Sequence, residues 1–258
     1  MTQTLFAFDI DGTLLDHKDH LIPASAKKAL IELKRKGHII GIATGRNKWQ
    51  LEKVIDLSLF DFAIMCNGSF VEINGNSFIS NNFPDIVISK ITKILEEHNY
   101  EYLVSSKKHL YGVDLSSKKK ARVIDQFDLV PPHSLHNFNL KNIFQFVVCE
   151  PIEVIQSFKS IQDDVIFHPF GKFGFDIDQI GVTKGSVLQD VVKYFNINMD
   201  NVYAFGDAAN DITLIKNAGV GIALGNAIQE VKDVADYVTS HVGDNGIYNA
   251  LKKFGFIR

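Results

Sequence analysis

The 258 residues predict an α/β fold, a Rossmann-like parallel-sheet core with an α+β module inserted into it. Three observations lead there. Strand and helix patterns alternate over the first third of the chain and again after residue 182. Between about 84 and 180 that alternation gives way to paired strands. Several apolar strands of the alternating parts stop in clusters of Asp, Gly and Thr, and a parallel sheet places its ligands beyond such strand ends.

The elements follow in order. The apolar run Leu5-Phe6-Ala7-Phe8 forms a short strand over 4–9. Over 24–36, Ala26, Ala29, Leu30 and Leu33 share one helical face, Lys and Arg take the other, and Gly37 stops the helix. A strand over 38–44, a helix near 47–58 and a strand over 62–66 come next. Strands separated by helices of this length need crossover connections, hence a parallel sheet. Asn74-Gly75, between two short strands of 70–80, marks a hairpin.

The insertion reads as a helix over 86–98, strands over 101–105 and 109–114, a helix over 118–127, a loop over 128–142 and a strand over 143–148. Pro151 opens a helix with Ile152, Ile155 and Phe158 on one face, and two strands follow, in which Phe170, Phe173 and Phe175 alternate as core residues. After 182 come a helix over 184–195, a strand over 202–206, a helix over 210–217 and a strand over 220–224. A helix over 227–233, a short strand near 236–239 and a helix over 245–254 close the chain. The expected domains are a core of 1–82 and 181–258 and a module of 83–180.

With 46% hydrophobic and 22% charged residues this is an ordinary globular composition, and a net charge of −3 supplies no basic field for nucleic acid or an anionic membrane. The densest basic run, Lys118-Lys119-Lys120, reads as a solvated helix face. Cys66 and Cys149 lack metal-ligand spacing and are expected as free thiols of a reducing cytosol. No run approaches the ~18 apolar residues of a membrane helix, and Met1-Thr2-Gln3-Thr4 lacks the basic and apolar regions of a signal peptide. A cytoplasmic protein is expected.

The chemistry begins at residues 9–16, "DIDGTLLD", where Asp9, Asp11 and Asp16 crowd around Gly12. Such carboxylates repel, so a cation or a reaction must compensate. Asp9 and Asp11, two apart on an extended segment, can face one ligand. Thr44-Gly45-Arg46 follows the second strand, with a hydroxyl and free N–H groups suited to an anion. Lys184 opens a helix, where its charge opposes the helix dipole unless an anion lies between them. Asp207 and Asp211, four apart with Asn210 between, share one side of a helix entrance.

Carboxylate oxygens suit Mg²⁺, which binds through one or two carboxylates, waters and phosphate oxygens. Lys184, Thr44 and backbone amides suit a phosphoryl group, with Asp9 placed as nucleophile and Asp11 as acid/base. A calcium loop starting at Asp9 would need Gly at its sixth position and Glu at its twelfth, where Leu14 and His20 stand. Singly, each motif has a plainer reading: Asp before Gly is common in turns, and Thr44 could be a helix cap. Asn67-Gly68 reads first as a strand-ending turn and second as a substrate contact. Arg46 could bind substrate or pair with an acid, and Lys172 could reach a substrate. Four clusters in order favour chemistry.

DxDGT at 9–13, Thr44 at a strand end, Lys184 and GDxxND at 206–211 together resemble the haloacid dehalogenase superfamily of phosphatases. The long insertion before Lys184, with "ATGR" (43–46), "CNGS" (66–69) and "DNG" (244–246), is similar to its Cof-like branch, which carries a large α/β cap domain. The resemblance covers about 1–80 and 182–258 and is weaker in the insertion. It implies Mg²⁺-dependent hydrolysis of a small phosphorylated metabolite (a sugar phosphate, nucleotide or phosphorylated cofactor) through a phospho-aspartate. It implies Asp9 as nucleophile and metal ligand, with Asp11 as general acid/base and metal ligand through its backbone carbonyl. Asp207 would be a further metal ligand and Asp211 would support it directly or through water, while Thr44, Gly45, Lys184 and Asn210 would hold phosphate. The neighbouring carboxylates would raise the Asp11 pKa toward its working range, and the insertion would close over the site. Two rivals keep the aspartate: a sugar phosphomutase, and a non-enzymatic phospho-aspartate regulatory module.

Overall fold

The computed structural model describes residues 3–107, 109–113, 116–126, 133–135 and 140–258. By their contacts the residues gather into two compact units, one of 1–45, 56–79 and 183–258 and the other of 46–55 and 80–182. Residues 46–55, assigned above to the core, group here with the inserted unit.

The first unit is built on an eight-stranded sheet. Its elements are β1 (Leu5–Phe8), α1 (Ala24–Arg35), β2 (Ile39–Ala43), β3 (Phe62–Met65), β4 (Phe70–Ile73) and β5 (Asn76–Ser80), the last ending at the unit's edge. After the insertion come α5 (Lys184–Tyr194), β12 (Val202–Gly206), α6 (Ile212–Asn217), β13 (Val220–Ala223), α7 (Gln229–Lys232), β14 (Tyr237–Val238) and α8 (Gly246–Lys253). The strand order is β14-β13-β12-β1-β2-β3-β4-β5. Pairing is parallel from β14 through β3 and turns antiparallel at β4. The expected hairpin joins β4 to β5, with positive φ at Asn74 and Gly75, as a two-residue turn of this type requires.

β1 shows why its strand reads as a continuous apolar run. Leu5 and Ala7 pack with Val187, Leu188 and Val191 of α5 and Leu214 and Ile215 of α6, while Phe6 on the other face meets His38 and Phe256. A strand covered on both faces loses the alternation of a half-buried one.

The second unit holds α2 (Lys48–Val54), α3 (Asp85–Glu97), β6 (Tyr102–Ser105), β7 (Leu110–Gly112), α4 (Lys118–Gln126), β8 (His133–Ser134), β9 (Gln145–Val148), β10 (Val165–Phe170) and β11 (Gly174–Gln179). Its six-stranded sheet runs β10-β11-β9-β6-β7-β8, antiparallel except for the β7–β8 pair. Val87, Ile88, Ile91 and Leu95 of α3 and Phe158 and Ile161 pack on one face. Val123 of α4 packs with Leu103, Leu110 and Val147 in a separate cluster. Most of the loop expected over 128–142 lies outside the described residues, but His133 and Ser134 within it form β8.

Two expectations are corrected in this unit, and one helix is refined. The helix expected after Pro151 is a 3₁₀ helix, Ile152–Ile161. Side chains three apart eclipse there, so Ile152, Ile155, Phe158 and Ile161 share a face; Phe158 and Ile161 are buried, while Ile152 at the first position is 41% exposed. Phe173 lies in the β10–β11 turn, with its side chain 40% exposed, and only Phe175 of the three alternating phenylalanines is fully buried.

The basic run is not uniformly solvated. Lys119 Nζ lies 2.6 Å and 2.7 Å from the two carboxylate oxygens of buried Glu150. Lys120 is itself buried, 3.5 Å from Glu101 Oε2. Lys118 and Lys119 are both exposed, but Lys119 is paired with Glu150. Cys66 and Cys149 are free and buried, and burial pushes the Cys149 thiol up to about 12. No helix among the described residues is long and apolar enough to cross a membrane.

Candidate active site

Every residue of the expected site except Arg46 and Lys172 lies in the first unit, where the parallel strands carry several of them to one end of the sheet. Asp9 directly follows β1, its N–H donating to Phe205 O at 3.0 Å and so extending the β1–β12 ladder. Asp207 directly follows β12. Two adjacent parallel strands therefore deliver two carboxylates at the same end of the sheet.

Asp211 is fixed by the loop that follows β12. Its Oδ2 accepts the N–H groups of Asp207 and Ala208, both at 3.0 Å, so the side chain closes the start of the helical segment it belongs to. Its Oδ1 faces Lys184.

Lys184 is the first residue of α5. Thr183 caps the helix by accepting from Ser186 N at 3.0 Å, while Thr183 N donates to Ser186 Oγ at 2.9 Å. A Cβ on Gly185 would stand 2.1 Å from Thr213 O, so the α5 entrance lies against α6 with no room for a side chain. That close approach sets the Lys184 ammonium 2.7 Å from Asp9 Oδ1 and 2.7 Å from Asp211 Oδ1, with the lysine almost fully buried. The dipole misfit expected for Lys184 is answered by these two carboxylates.

Oxygens of Asp9, Asp207 and Asp211 all lie within 4.8 Å of one another. Asp11 does not join them; it is half-buried on the turn after β1. Thr13 Oγ1 donates to Asp207 Oδ1 at 2.7 Å, and Asn226 Nδ2 lies 3.4 Å from Asp207 Oδ2. Asp16, the third carboxylate of the crowded motif, instead accepts from Lys18 N at 3.0 Å in the next turn.

The charges explain one another. Burial, reinforced by Asp211, pushes the Asp9 carboxyl well above the usual carboxylate range against the pull of Lys184. Burial and then Asp211 push Asp207 up to about 7, with the Thr13 hydrogen bond pulling the other way. Burial disfavours the Lys184 ammonium, yet Asp211 and Asp9 outweigh it and hold its pKa above that of an ordinary lysine. Fully ionised, the three carboxylates would exceed the one ammonium by two negative charges, and all three are hard oxygen donors. That donor set fits a divalent cation such as Mg²⁺.

Thr44 and Gly45 follow β2, and Thr44 is buried. Thr44 N donates to Ile64 O at 2.8 Å, and Thr44 O accepts from Asn67 N at 3.0 Å. Asn67, buried at φ 51°, accepts through Oδ1 from Asn210 Nδ2 at 2.9 Å and lies 3.2 Å from where a Gly45 Cβ would stand. One asparagine thus joins the segments carrying Thr44, Gly45 and Asn210. Arg46 is buried and belongs to the second unit.

The sequence alone singled out neither Asn226 nor Thr13, and it marked Asn67 as a strand-ending turn or substrate contact rather than as a link between segments. Asn67 carried a signal in its Asn-Gly pair, and Asn226 in its place: Gly225-Asn226 follows β13, a fourth strand end beside those that carry Asp9, Thr44 and Asp207.

The stretch of residues 6–251 matches the model of the haloacid dehalogenase-like hydrolases. The chain is similar to the Bacillus subtilis (strain 168) protein YkrA, at 31% identity over 273 residues with 100% of each chain covered. It is also similar to the pyridoxal phosphate phosphatase YbhA of Escherichia coli (strain K12), at 28% identity over 95% of each chain. Among solved structures it is similar to the HAD subclass IIB sugar phosphatase BT4131, with a TM-score of 0.88 and 25% identity over 99% of this chain and 100% of that one. With the strand-end aspartates, the buried lysine and the split parallel sheet in place, the chain belongs to the haloacid dehalogenase-like hydrolases, in their Cof-like branch, and is a phosphomonoester hydrolase.

Proposed function

We propose that the protein is a Mg²⁺-dependent phosphatase of small phosphorylated metabolites, that it works through a phospho-aspartate on Asp9, and that residues 83–180 form its cap domain. One observation carries the reading: a buried ammonium bridges Asp9 and Asp211 at 2.7 Å while Asp207 completes an all-oxygen cluster. A merely structural ion pair has no use for two further negative charges in a buried place.

In this reading Asp9 attacks phosphorus in line, the bond from phosphorus to the ester oxygen breaks, and Asp11 gives its proton to the departing oxygen. Asp11 then takes a proton from the water that attacks the phospho-aspartate, which restores Asp9 and frees phosphate. Lys184 orients the Asp9 carboxylate and places positive charge beside the transferring group. Thr44, Gly45 and Asn210 hold phosphoryl oxygens, their spacing kept by Asn67. Asp9, Asp207 and the Asp11 backbone carbonyl would hold Mg²⁺, with Asp211 behind them. The ion would supply charge neutralisation at the phosphoryl oxygens. The names of the relatives, a sugar phosphatase and a pyridoxal phosphate phosphatase, support a small metabolite as substrate.

The test is phosphate release from a panel of phosphorylated metabolites and one aryl phosphate, with Mg²⁺ and with a chelator. Release that needs Mg²⁺ and disappears in Asp9→Asn is expected. Full turnover in chelator, or turnover by Asp9→Asn, would sink the reading.

A further inference from the structure

Asn226 stands outside every role assigned so far, yet its side chain touches three segments of the first unit. Its Nδ2 donates to Gly12 O at 2.7 Å, in the turn that carries Asp11, and lies 3.4 Å from Asp207 Oδ2. Its Oδ1 accepts from Val242 N at 2.9 Å. The orientation of the amide follows from these partners: a flipped group would set its oxygen against the Gly12 carbonyl and its NH₂ against the Val242 N–H.

The platform beneath Asn226 is itself fixed to the site. Gly225 N donates to Ser240 O and Ile228 N to Asp207 O, each at 3.0 Å. The turn it holds has no slack against Asp207. Gly12 sits at φ +87°, and a Cβ there would stand 2.3 Å from Asp207 Oδ2. Any slip of that turn moves the carboxylate, and the reverse. Thr13 grips Asp207 through Oδ1, so Asn226 supplies the hold on the other oxygen. Each carboxylate oxygen has two acceptor directions, so neither bond removes Asp207 as a donor to a cation.

We propose that Asn226 is the positioning residue of the acidic cluster: its one amide fixes both the Asp207 carboxylate and the Asp11-bearing turn, and so sets the geometry in which the cluster takes a divalent cation. This rests on the metal reading above. Outer groups of this kind change metal affinity by about 10–100-fold when removed.

The test uses purified full-length protein, freed of metal, with Mg²⁺ titrated in by calorimetry and no substrate present. Asn226→Ala should bind Mg²⁺ at least about tenfold more weakly than wild type. A role confined to holding the Val242 segment would lower the thermal midpoint in chelator and leave Mg²⁺ affinity within about twofold, which overturns the proposal. Should Asn226→Ala fail to fold, the wild-type protein still decides. The Asn226 side-chain amide resonances should shift during the Mg²⁺ titration with the midpoint seen by calorimetry, and unmoved resonances overturn the proposal. Wild-type protein that takes up no Mg²⁺ overturns this inference and the metal reading together. Wild-type uptake with unchanged affinity in the variant overturns this inference alone.

Discussion

Lys184 Nζ lies 2.7 Å from Asp211 Oδ1, and the other oxygen of Asp211 is held by the N–H groups of Asp207 and Ala208. Asp211 therefore acts on two charged neighbours at once, as counter-charge to the lysine and as anchor of the loop that presents Asp207. Its carboxylate also raises the pKa of Asp9 and Asp207. The site is an electrostatic unit, and its parts should not contribute independently.

Removing one member should show this. Lys184→Met leaves Asp9 and Asp211 buried without their shared cation and should cost about 3–5 kcal/mol in urea unfolding of the metal-free protein. Adding Asp211→Asn should recover part of that loss rather than deepen it, because the amide no longer carries an uncompensated charge. Additive losses in the double variant would contradict the unit.

Metal and protons should compete. With Asp207 at about 7 and Asp9 also raised, these acids bind more protons folded than unfolded from about pH 4 up to neutrality. Stability from this source is complete below the unfolded carboxylate range and is lost as pH rises through about 7. In chelator the thermal midpoint should fall over that window, and fall less in Asp207→Asn.

Saturating Mg²⁺ should reverse the loss, by about 2.7 kcal/mol at a hundredfold excess over Kd. Below pH 7 the apparent Mg²⁺ affinity should weaken by up to about tenfold per pH unit, as a proton must leave Asp207. Affinity that stays flat from pH 5.5 to 8.5 would refute the competition.

Asp9 and Asp11 should fail differently. Asp9→Asn should form no phosphoenzyme with any ester. Asp11→Asn should lose about 10²–10⁴-fold with poor leaving groups, the range for a lost general acid, and less with an activated aryl phosphate. It should then accumulate a phosphoenzyme that rapid acid quench traps. Equal inactivity toward both esters, with nothing trapped, would count against the two roles.

The three adjacent lysines of α4 should separate. Lys118→Met, on an exposed residue, should change stability within about 0.5 kcal/mol. Lys120→Met removes a buried cation from Glu101 and should cost about 1–3 kcal/mol in denaturant unfolding. Equal small effects would restore the solvated-face reading.

The parallel core was legible in the chain because strands such as Leu5–Phe8 and helices such as α1 carry their period and their stop signals locally. Gly37 ends α1, and Asn74-Gly75 bends the β4–β5 hairpin, each through its own backbone preference. The helix after Pro151 was legible but its 3₁₀ form was not, because apolar residues three apart fit either an α-helix or a 3₁₀ helix, and packing chooses.

Sequence by itself determined the residue types at the strand ends, and with them the hard-oxygen and cationic chemistry near residues 9, 44, 184 and 207. Tertiary structure decided which of those groups meet. Asp16, five residues from Asp11, turns away to Lys18 N, while Lys184 reaches Asp9 across 175 positions. It also decided that Asn226 clasps the Gly12 turn and that Lys120 is buried while Lys118 is not. The physical reason is range: backbone preferences act over a few residues, whereas charge pairing and burial depend on distance in space, which the sheet order sets.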